Sequence, residues 1–397
     1  MNQVKDLTKL TVPDLWKEVK SEEECWGEID KRVLGMAKLI LEGSLEAELI
    51  EFLKALRYAH TKTRKGYRNG HYERSLFSQY GVIKALRVPR ARTNYTSKIL
   101  SNYQRRQSKV NRMIRDMFLR GVSTRRVGDI LLGVWEQSVS AQTVSNISRS
   151  LDEEVKAYQS RKVLDEYKYL LFDGIVLKVK GALKVYHKPV LVVYGITNTG
   201  KKELIDFRQA SSESEAQWEA FLRNLFERGL EGSKCELIII DGCKGLHRAL
   251  ETVYPYVPVQ RCWAHKLRNV AGYIRRKDQK ECLKQARQIY LAENRRSAVK
   301  AFREWESKWS AHYPKAIRCI EIDLDELLNF LNCPVPHRVK IRTTNAIERA
   351  FLEVRRRTRT MSCFTNSRSV DRIIYGVISH LNKSWQDKPL PDFTLIT

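Results

Sequence analysis

The sequence predicts an α/β protein with a mixed β-sheet, preceded by a helical region and a small basic β region. Three consecutive strand-like segments lie between residues 167 and 210, and a wholly apolar segment, LIII, follows at residues 237–240. Helical patterns separate and follow these segments. Strands that alternate in this way with helices are typical of an α/β fold.

Residues 1–58 are predicted to form an N-terminal helical domain, because apolar residues recur there at helical spacing. These positions are Val33, Met36, Ala37, Ile40, Leu45, Leu49 and Phe52. Residues 59–100 are predicted to form a basic β region, with strands YERSLFSQ and VIKALRV around Gly81. We expect Pro89 to end the second strand, because proline has no amide N–H to pair.

Residues 101–160 are predicted to hold two short helices. Ser123 is the expected N-cap of the first, which Gly133 ends, and Ser140 is the expected N-cap of the second. Two short helices in a basic region are typical of a helix–turn–helix, although an ordinary helical hairpin gives the same pattern. In a helix–turn–helix, the side chains expected to face DNA are those of Arg125, Gln142, Ser145, Asn146 and Arg149.

Residues 161–265 and 336–397 are predicted to form the α/β domain, with a helical insertion at residues 266–335. The predicted strands are YKYLLFDGIVLKVK, VYHKPVLVVYGIT, KKELIDFRQA, CELIIIDG and VPVQRC. In the insertion, one apolar stripe recurs at helical spacing. It consists of Val299, Phe302, Trp305 and Trp309. We expect this stripe to be packed core rather than a ligand site.

The formal net charge of +26 is concentrated in two segments. Residues 54–129 contain 20 Lys and Arg against three acids, and residues 338–378 contain ten against three. Such clustering predicts a polyanionic partner, with nucleic acid as the first candidate. Membrane binding is a weaker alternative, because no basic amphipathic helix with a bare apolar face stands out. A basic protein without a polyanionic partner remains a further alternative.

The same sequence favours a cytoplasmic protein. No apolar run approaches the roughly 18 residues of a membrane span. The N-terminal segment is polar and charged from the start, unlike a signal peptide. The eight cysteines are scattered along a long chain, which is typical of reduced thiols rather than of a disulfide framework.

Three carboxylates each have a structural interpretation and a shared functional one. Asp173–Gly174 between apolar runs is typical of a hairpin turn, and Asp241 suits a turn or N-cap after a strand. Glu348 stands three residues after Asn345, as in a capping box. If the three converge, they suit hard cations such as Mg²⁺, and a pair of ions ~4 Å apart can promote phosphodiester cleavage. The arginines after Glu348 would then hold the DNA backbone.

Several motifs occur together in a fixed order: LLFDG, IIIDGCKGL, QRCWAHKLRN and TTNAIERAFLEVRRRTR, with GHYERSLFSQYGVIKALRVPRAR and GVSTRRV upstream. By these motifs the chain resembles the bacterial Mutator-type insertion-sequence transposases over nearly its whole length. The resemblance implies an RNase H-like catalytic domain with a DDE triad formed by Asp173, Asp241 and Glu348. It implies two Mg²⁺ ions, with Mn²⁺ as a substitute. It also explains the long separation of Asp241 from Glu348 by a helical insertion.

The resemblance places His265 near the catalytic pocket, with Cys262 packed beside it. Lys266 and Arg268 are expected to contact phosphate there, as are Arg355, Arg356 and Arg357 after the last acid. An alternative from the residues themselves is a zinc site. Its ligands would be Cys243, His247, Cys262 and His265.

The function expected is a DNA transposase that acts as a homodimer in the bacterial nucleoid. It would bind terminal inverted repeats, cut the element ends with metal, and join the 3′-hydroxyl to target DNA. One alternative is a structure-selective nuclease of the same fold, which would cut without strand transfer. The other is a non-catalytic DNA-binding regulator, which would tolerate loss of the acids.

Overall fold

The computed structural model describes residues 21–181, 184–359, 363–364 and 366–394. The first 20 residues of the predicted helical domain and the last three residues of the predicted α/β domain lie outside this description. By internal contacts the chain forms two units. One comprises Met1–Phe118 with Ser123–Ile147, and the other comprises Leu119–Val122 with Ser148–Thr397.

The first unit begins with helix α1, Glu22–Leu53, whose N-cap Ser21 accepts a hydrogen bond from the backbone of Glu24. The later part of the predicted apolar stripe is buried, at Leu45 and Leu49. The earlier part is not core. Its exposed members are Val33, Met36 and Ile40.

The predicted hairpin is confirmed and is longer than expected. Strands β1, Arg68–Ser78, and β2, Gly81–Ala91, pair antiparallel as a two-stranded sheet. Pro89 does not end β2 but lies within it, beside an irregularity in the register. Every strand of a two-stranded sheet is an edge strand, so a proline amide can face away from the partner without a lost bond.

Three helices follow: α2, Ser108–Leu119, α3, Thr124–Trp135, and α4, Ala141–Ser148. The predicted N-caps are confirmed, because Ser123 accepts from the Arg126 amide and Ser140 from the Thr143 amide. The expected end of α3 at Gly133 is wrong: the helix continues for two residues, and its cap is Glu136. An isolated glycine lowers helix stability by only ~1 kcal/mol, which tertiary packing overrides.

The second unit contains helix α5, Leu151–Ser160, and the predicted mixed sheet. Its strands are β3, Tyr167–Lys180, β4, Val185–Thr197, β5, Lys202–Gln209, β6, Leu237–Ile240, and β7, Val259–Arg261. The sheet order is β5-β4-β3-β6-β7. The first three strands pair antiparallel, and β6 and β7 run parallel to β3 and to each other.

Two helices cover one face of the sheet: α6, Glu215–Glu227, and α7, Lys244–Val253. Their apolar residues pack with Leu170 and Phe172 of β3 and with Ile238 and Ile240 of β6. These four strand residues are fully buried. Because side chains alternate along a strand, the residues between them point to the opposite face.

A run of helices separates β7 from the C-terminal segment. It comprises α8, Trp263–Gly272, α9, Arg276–Leu291, α10, Arg295–Trp309, α11, Pro314–Glu321, α12, Leu324–Leu328, and α13, Arg338–Ile341. The apolar stripe of α10 is core, as predicted, since Phe302, Trp305 and Trp309 are buried. The indole of Trp305 donates to the Cys282 carbonyl at 3.1 Å, which ties α10 to α9.

The chain ends with α14, Asn345–Thr358, α15, Ser367–Trp385, and the short α16, Pro391–Thr394. Helix α14 packs against β3. Helix α15 is joined to α5 by the buried guanidinium of Arg372, which donates to both carboxylate oxygens of Asp152 at 2.6 and 2.7 Å. A bidentate pair of this kind fixes orientation as well as distance.

The buried ion pair between Asp206 of β5 and Arg228 gives a test of the sheet region. Burial raises the pKa of Asp206, while Arg228 opposes this rise. We expect Arg228→Met to leave a buried unpaired carboxylate and lower the free energy of unfolding by ~3–5 kcal/mol at pH 7. The loss should shrink at pH 5, because protonation then removes the charge. Urea unfolding of both proteins at pH 7 and pH 5 measures this loss of free energy of unfolding.

The matched control is Arg223→Met on α6, where an exposed arginine pairs with Glu219. It should cost less than ~1 kcal/mol. Equal losses from the two variants would contradict the role given to the buried pair.

Candidate functional site

Asp173 of β3 and Asp241, which directly follows β6, lie side by side where these parallel strands pair. In the pairing of β3 with β6, Phe172 is opposite Ile240. The next residues along the two strands are therefore neighbours, and strands in a sheet lie ~4.8 Å apart. Asp173 is in the middle of β3, opposite Val192 of β4, so its interpretation as a hairpin-turn residue is wrong.

The two aspartates also face the same way. Phe172 and Ile240 both pack under α6 and α7. The alternation of side chains along a strand therefore points Asp173 and Asp241 to the other face, on which α14 packs. One residue further along β3, Gly174 faces α6 again.

The side chain of Asp173 is almost fully buried, with 6% exposure. Burial, followed by the charge of Asp241, raises its pKa to about 7. One hydrogen bond, accepted from the Gly174 amide at 2.8 Å, opposes this rise. A carboxyl group with so few compensating donors favours either a proton or a cation at neutral pH.

Asp241 has a structural role as well. Its carboxylate accepts a hydrogen bond from the Cys243 amide at 2.9 Å. Gly242 has φ +105°, a conformation that glycine adopts readily and other residues rarely do. The interpretation of Asp241 as a turn residue is thus confirmed, and the turn holds its carboxylate beside Asp173.

The Cys-x-x-His motif connects this edge of the sheet to α14. The amide of Cys262 donates to the Ile240 carbonyl at 2.8 Å, so this residue directly follows the parallel pairing. Its sulfur accepts from the backbone amide of Thr344 at 3.3 Å. His265, in the first turn of α8, lies with Nε2 3.4 Å from Glu348 Oε1 and with Nδ1 3.4 Å from the Thr344 hydroxyl.

Charge in this network is shared among several groups. Burial raises the pKa of the Cys262 thiol, but hydrogen bonds from His265 and Thr344 outweigh burial and hold it below its ordinary value. The hydrogen bond with Cys262 is the main cause of the raised pKa of His265. The charges of Asp173 and Asp241 add to it. The neighbouring acids therefore favour the protonated form of His265.

Glu348 lies in the first turn of α14, but not in the expected capping box. Asn345 is the first helical residue, and the N-cap is Thr344, whose side chain makes no capping bond. The Thr344 hydroxyl is instead directed to Cys262 and His265. The Glu348 carboxylate is half-exposed and has His265 and, at 3.8 Å, Arg268 as its cationic neighbours.

Asp173 and Asp241 fit a divalent cation by their chemistry. They are adjacent, Asp173 is buried and Asp241 is half-buried, and Mg²⁺ is commonly bound through one or two carboxylates together with substrate phosphates. Within the part of the chain that the structure describes, no three Asp, Glu, His or Cys groups converge on one ion position. The zinc alternative is wrong, because the ring of His247 is bonded to Glu326 at 2.8 Å and does not join the cysteines.

The structure adds Glu213, for which the sequence gave no signal. An added Cβ on Gly174 would lie 2.4 Å from the Glu213 carboxylate, so the two groups are packed together. Burial and the charge of Asp241 raise the pKa of Glu213. The thiol of Cys243 donates to the backbone carbonyl of Glu213 at 3.5 Å, and Gly245 lies against the same carbonyl. Gly174 and Gly245 therefore leave room for Glu213.

The basic residues near the acids differ in availability. Arg268, Arg355 and Arg356 are exposed. The prediction that Lys266 contacts phosphate is wrong: its ammonium is buried, bonds to Asp323 and donates to the Cys319 carbonyl at 3.1 Å. The guanidinium of Arg357 is mostly buried and is committed to Glu353.

The predicted DNA-facing side chains of the two short helices lie mostly at the surface. Arg125, Gln142, Asn146 and Arg149 are exposed, and Ser145 is half-buried. The Gln142 amide donates to Asn146 at 2.9 Å. Helix α3 approaches the segment that precedes α4 closely at Gly128, where an added Cβ would lie 2.6 Å from the Val139 carbonyl. Glycine is thus required for this close approach.

Acids gathered at the edge of a mixed sheet, beside exposed arginines, are typical of proteins that act on nucleic acid phosphates. The comparisons identify the family. The model of the Mutator family of transposases matches residues 12–388, and the chain belongs to this family. As a transposase, it acts on DNA. Among the described residues, no helix is both long and apolar enough to cross a membrane.

Similar proteins are transposases of named insertion sequences. The chain is 32% identical to that of ISRM5 from Rhizobium meliloti (strain 1021), over 88% of this chain and 87% of the relative. It is 33% identical to that of IS406 from Burkholderia multivorans (strain ATCC 17616 / 249), over 88% and 90%. It is 32% identical to that of IS256 in transposon Tn4001 from Staphylococcus aureus, over 86% and 87%.

The raised pKa of Asp173 makes a prediction about stability. In metal-free buffer its charge costs nothing below about pH 4, where the folded and unfolded forms are both protonated. The cost grows as the pH rises and is complete above pH 7. We expect Asp173→Asn to raise the melting temperature by roughly 2 °C or more at pH 8 and to have no effect at pH 4.

Thermal unfolding in EDTA at both pH values checks this expectation. Asp325→Asn is the control, because that carboxylate is 94% exposed and its loss should matter little at either pH. A melting temperature of Asp173→Asn below that of the wild type at pH 8 would show that the charged carboxylate is stabilised, not strained.

Proposed function

We propose that this protein is a DDE transposase with an RNase H-like catalytic domain, in which Asp173, Asp241 and Glu348 form the triad. The observation that carries the proposal is the adjacency of Asp173 and Asp241 on one sheet edge, with Glu348 opposite on α14. The sheet order, with three antiparallel strands followed by two parallel ones, supports the same domain type.

The proposed reaction has two steps at phosphorus. A water oxygen bonds to the phosphorus at the element end while the bond to the 3′-oxygen breaks, which leaves a 3′-hydroxyl. The oxygen of this 3′-hydroxyl then bonds to a phosphorus of the target DNA. The bond between that phosphorus and the target's 3′-oxygen breaks at the same time. Mg²⁺, with Mn²⁺ as a substitute, would lower the pKa of the attacking water and neutralise charge on the phosphate and the leaving oxygen.

The chain's own groups have distinct roles in this proposal. Asp173 and Asp241 would hold the two metal ions, and Glu348 would join them if it exchanged its contacts with His265 and Arg268 for contacts with metal. His265 is a positioning residue, because it fixes the start of α14 through Thr344 and holds Glu348 near the acids. Arg268 lies 3.8 Å from Glu348 and is exposed, so its guanidinium is available to the scissile phosphate.

We further propose that the first unit binds the terminal inverted repeats. A basic hairpin and a helix–turn–helix formed by α3 and α4 would supply phosphate contacts and base contacts. Two element ends must be joined, and we propose a homodimer. The exposed apolar residues Met36 and Ile40 of α1 are a candidate contact surface between copies.

The central experiment uses duplexes that carry the terminal inverted repeats of the insertion sequence. We expect Glu348→Gln to bind them as tightly as wild type but to cut and join them at least ~100-fold more slowly, because a neutral amide is a poor ligand for Mg²⁺. Glu304→Gln, at an exposed pair on α10, is the control and should keep full activity.

Cleavage and strand transfer are read on gels. If Glu348→Gln cuts as well as wild type, Glu348 is not in the triad. If wild type cuts but never joins, the protein is a nuclease of the same chemistry rather than a transposase.

Glu213 provides a second test of the carboxylate site. We expect Mg²⁺ to raise the melting temperature of the wild type, and Glu213→Gln to reduce this shift, because a carboxylate beside the two aspartates increases affinity. Gly174→Ala should do the same, since its Cβ displaces the Glu213 carboxylate. The control is Gly272→Ala in α8, where an added Cβ meets no atom within 4 Å.

Thermal unfolding is followed across a Mg²⁺ titration, which requires no turnover. An unchanged Mg²⁺ response in both Glu213→Gln and Gly174→Ala would exclude Glu213 from the site.

A further inference from the structure

A cavity of about 630 Å³ opens between α7, α8 and α11, apart from the carboxylate site. Its lining is predominantly cationic. We call it the basic cavity, and its rim residues are Lys244, Arg248, Lys315 and Arg318. All four rim side chains are exposed.

The acids beneath the cavity already have partners. The buried Lys266 and the guanidinium of Arg261 both pair with Asp323. Glu326 is bonded to Arg261 and, at 2.8 Å, to His247. This network holds α7, β7 and α8 against the segment after α11. Because Asp323 and Glu326 are already paired within this network, the cations on the rim above it present a net positive surface to solvent.

The rim also carries groups suited to a nucleotide rather than to an isolated anion. Tyr273 and Ile322 line the same cavity with 50% and 69% exposure. An aromatic ring beside cations is the combination that binds a nucleic acid strand, through stacking on a base or sugar and through phosphate contacts.

Two segments that line the cavity lie close in sequence to residues of the carboxylate site. Lys244 follows Asp241 by three residues, so the two α-carbons are within roughly 11 Å. Lys266 directly follows His265. Phosphates of one duplex strand are spaced ~3.4 Å along the axis. A strand positioned at the acids therefore reaches the rim within about three nucleotides.

We infer that the basic cavity binds the backbone of the DNA strand adjoining the scissile phosphate, with Lys315 and Arg318 as phosphate contacts. This inference rests on the proposed function, because it takes the carboxylate edge as the place of cleavage. It assigns a DNA-binding role to the helical segment between β7 and α14, in addition to the N-terminal basic regions.

The test is the salt dependence of DNA binding by the double variant Lys315→Ala/Arg318→Ala. Each lost phosphate contact lowers the slope of log affinity against log salt by ~0.9, so we expect a slope smaller by about 2. At 0.1 M salt the dissociation constant should rise roughly tenfold or more. Fluorescence anisotropy of a labelled duplex carrying the element end measures both, with Ca²⁺ in place of Mg²⁺.

The matched control is Lys284→Ala/Arg287→Ala on α9. It removes the same two charges at the same spacing from an exposed helix face that does not line the cavity. It should leave the slope within about 0.5 of wild type. Circular dichroism and thermal unfolding confirm that both variants fold, and alanine is a strong helix former at all four positions.

Equal slopes for the two double variants would overturn the inference. The same holds if inorganic phosphate at millimolar concentration abolishes the difference in slope between wild type and Lys315→Ala/Arg318→Ala, since the cavity would then be a small-anion site. The readout does not require cleavage. Failure of the catalytic proposal, seen as an active Glu348→Gln, is therefore distinguishable from failure of this one.

Discussion

The parallel pairing of β3 with β6 is the constraint on which the rest of the site depends. It places the buried Asp173 next to the half-buried Asp241, and burial followed by the charge of Asp241 raises the pKa of Asp173. Two neighbouring acids at the edge of a buried sheet are costly unless a cation or a proton compensates them. The surrounding groups can be understood as responses to that cost.

The Cys-x-x-His motif is one such response. Cys262 and Thr344 tie the end of β7 to the start of α14, and this contact determines where the helix begins. His265 lies 3.4 Å from Glu348, and its pKa is raised by the hydrogen bond with Cys262 and by the charges of Asp173 and Asp241. The motif therefore positions Glu348, which follows Asp241 by 107 residues. This positioning does not require a metal-binding cluster.

Glycines in the acidic motifs have a matching physical explanation. Gly242 allows the turn that directs Asp241, and Gly174 and Gly245 allow Glu213 and its backbone to approach. The cationic surface is organised separately. The buried Lys266 pairs with Asp323 and joins α8 to the segment after α11, and Arg357 pairs with Glu353 within α14. The side chains of Arg268 and Arg318 are exposed to solvent.

The sequence by itself predicted the strands of the sheet and most of the helices, because hydrophobic periodicity and capping are local properties. It also named the three acids as candidate site residues. Tertiary structure alone decided that Asp173 lies inside a strand, that Thr344 rather than Asn345 is the N-cap of α14, and that Lys266 is buried. It also decided the place of Glu213. Each of these depends on a partner distant in sequence, and local patterns carry no information about which distant group will neutralise a charge or fill a space.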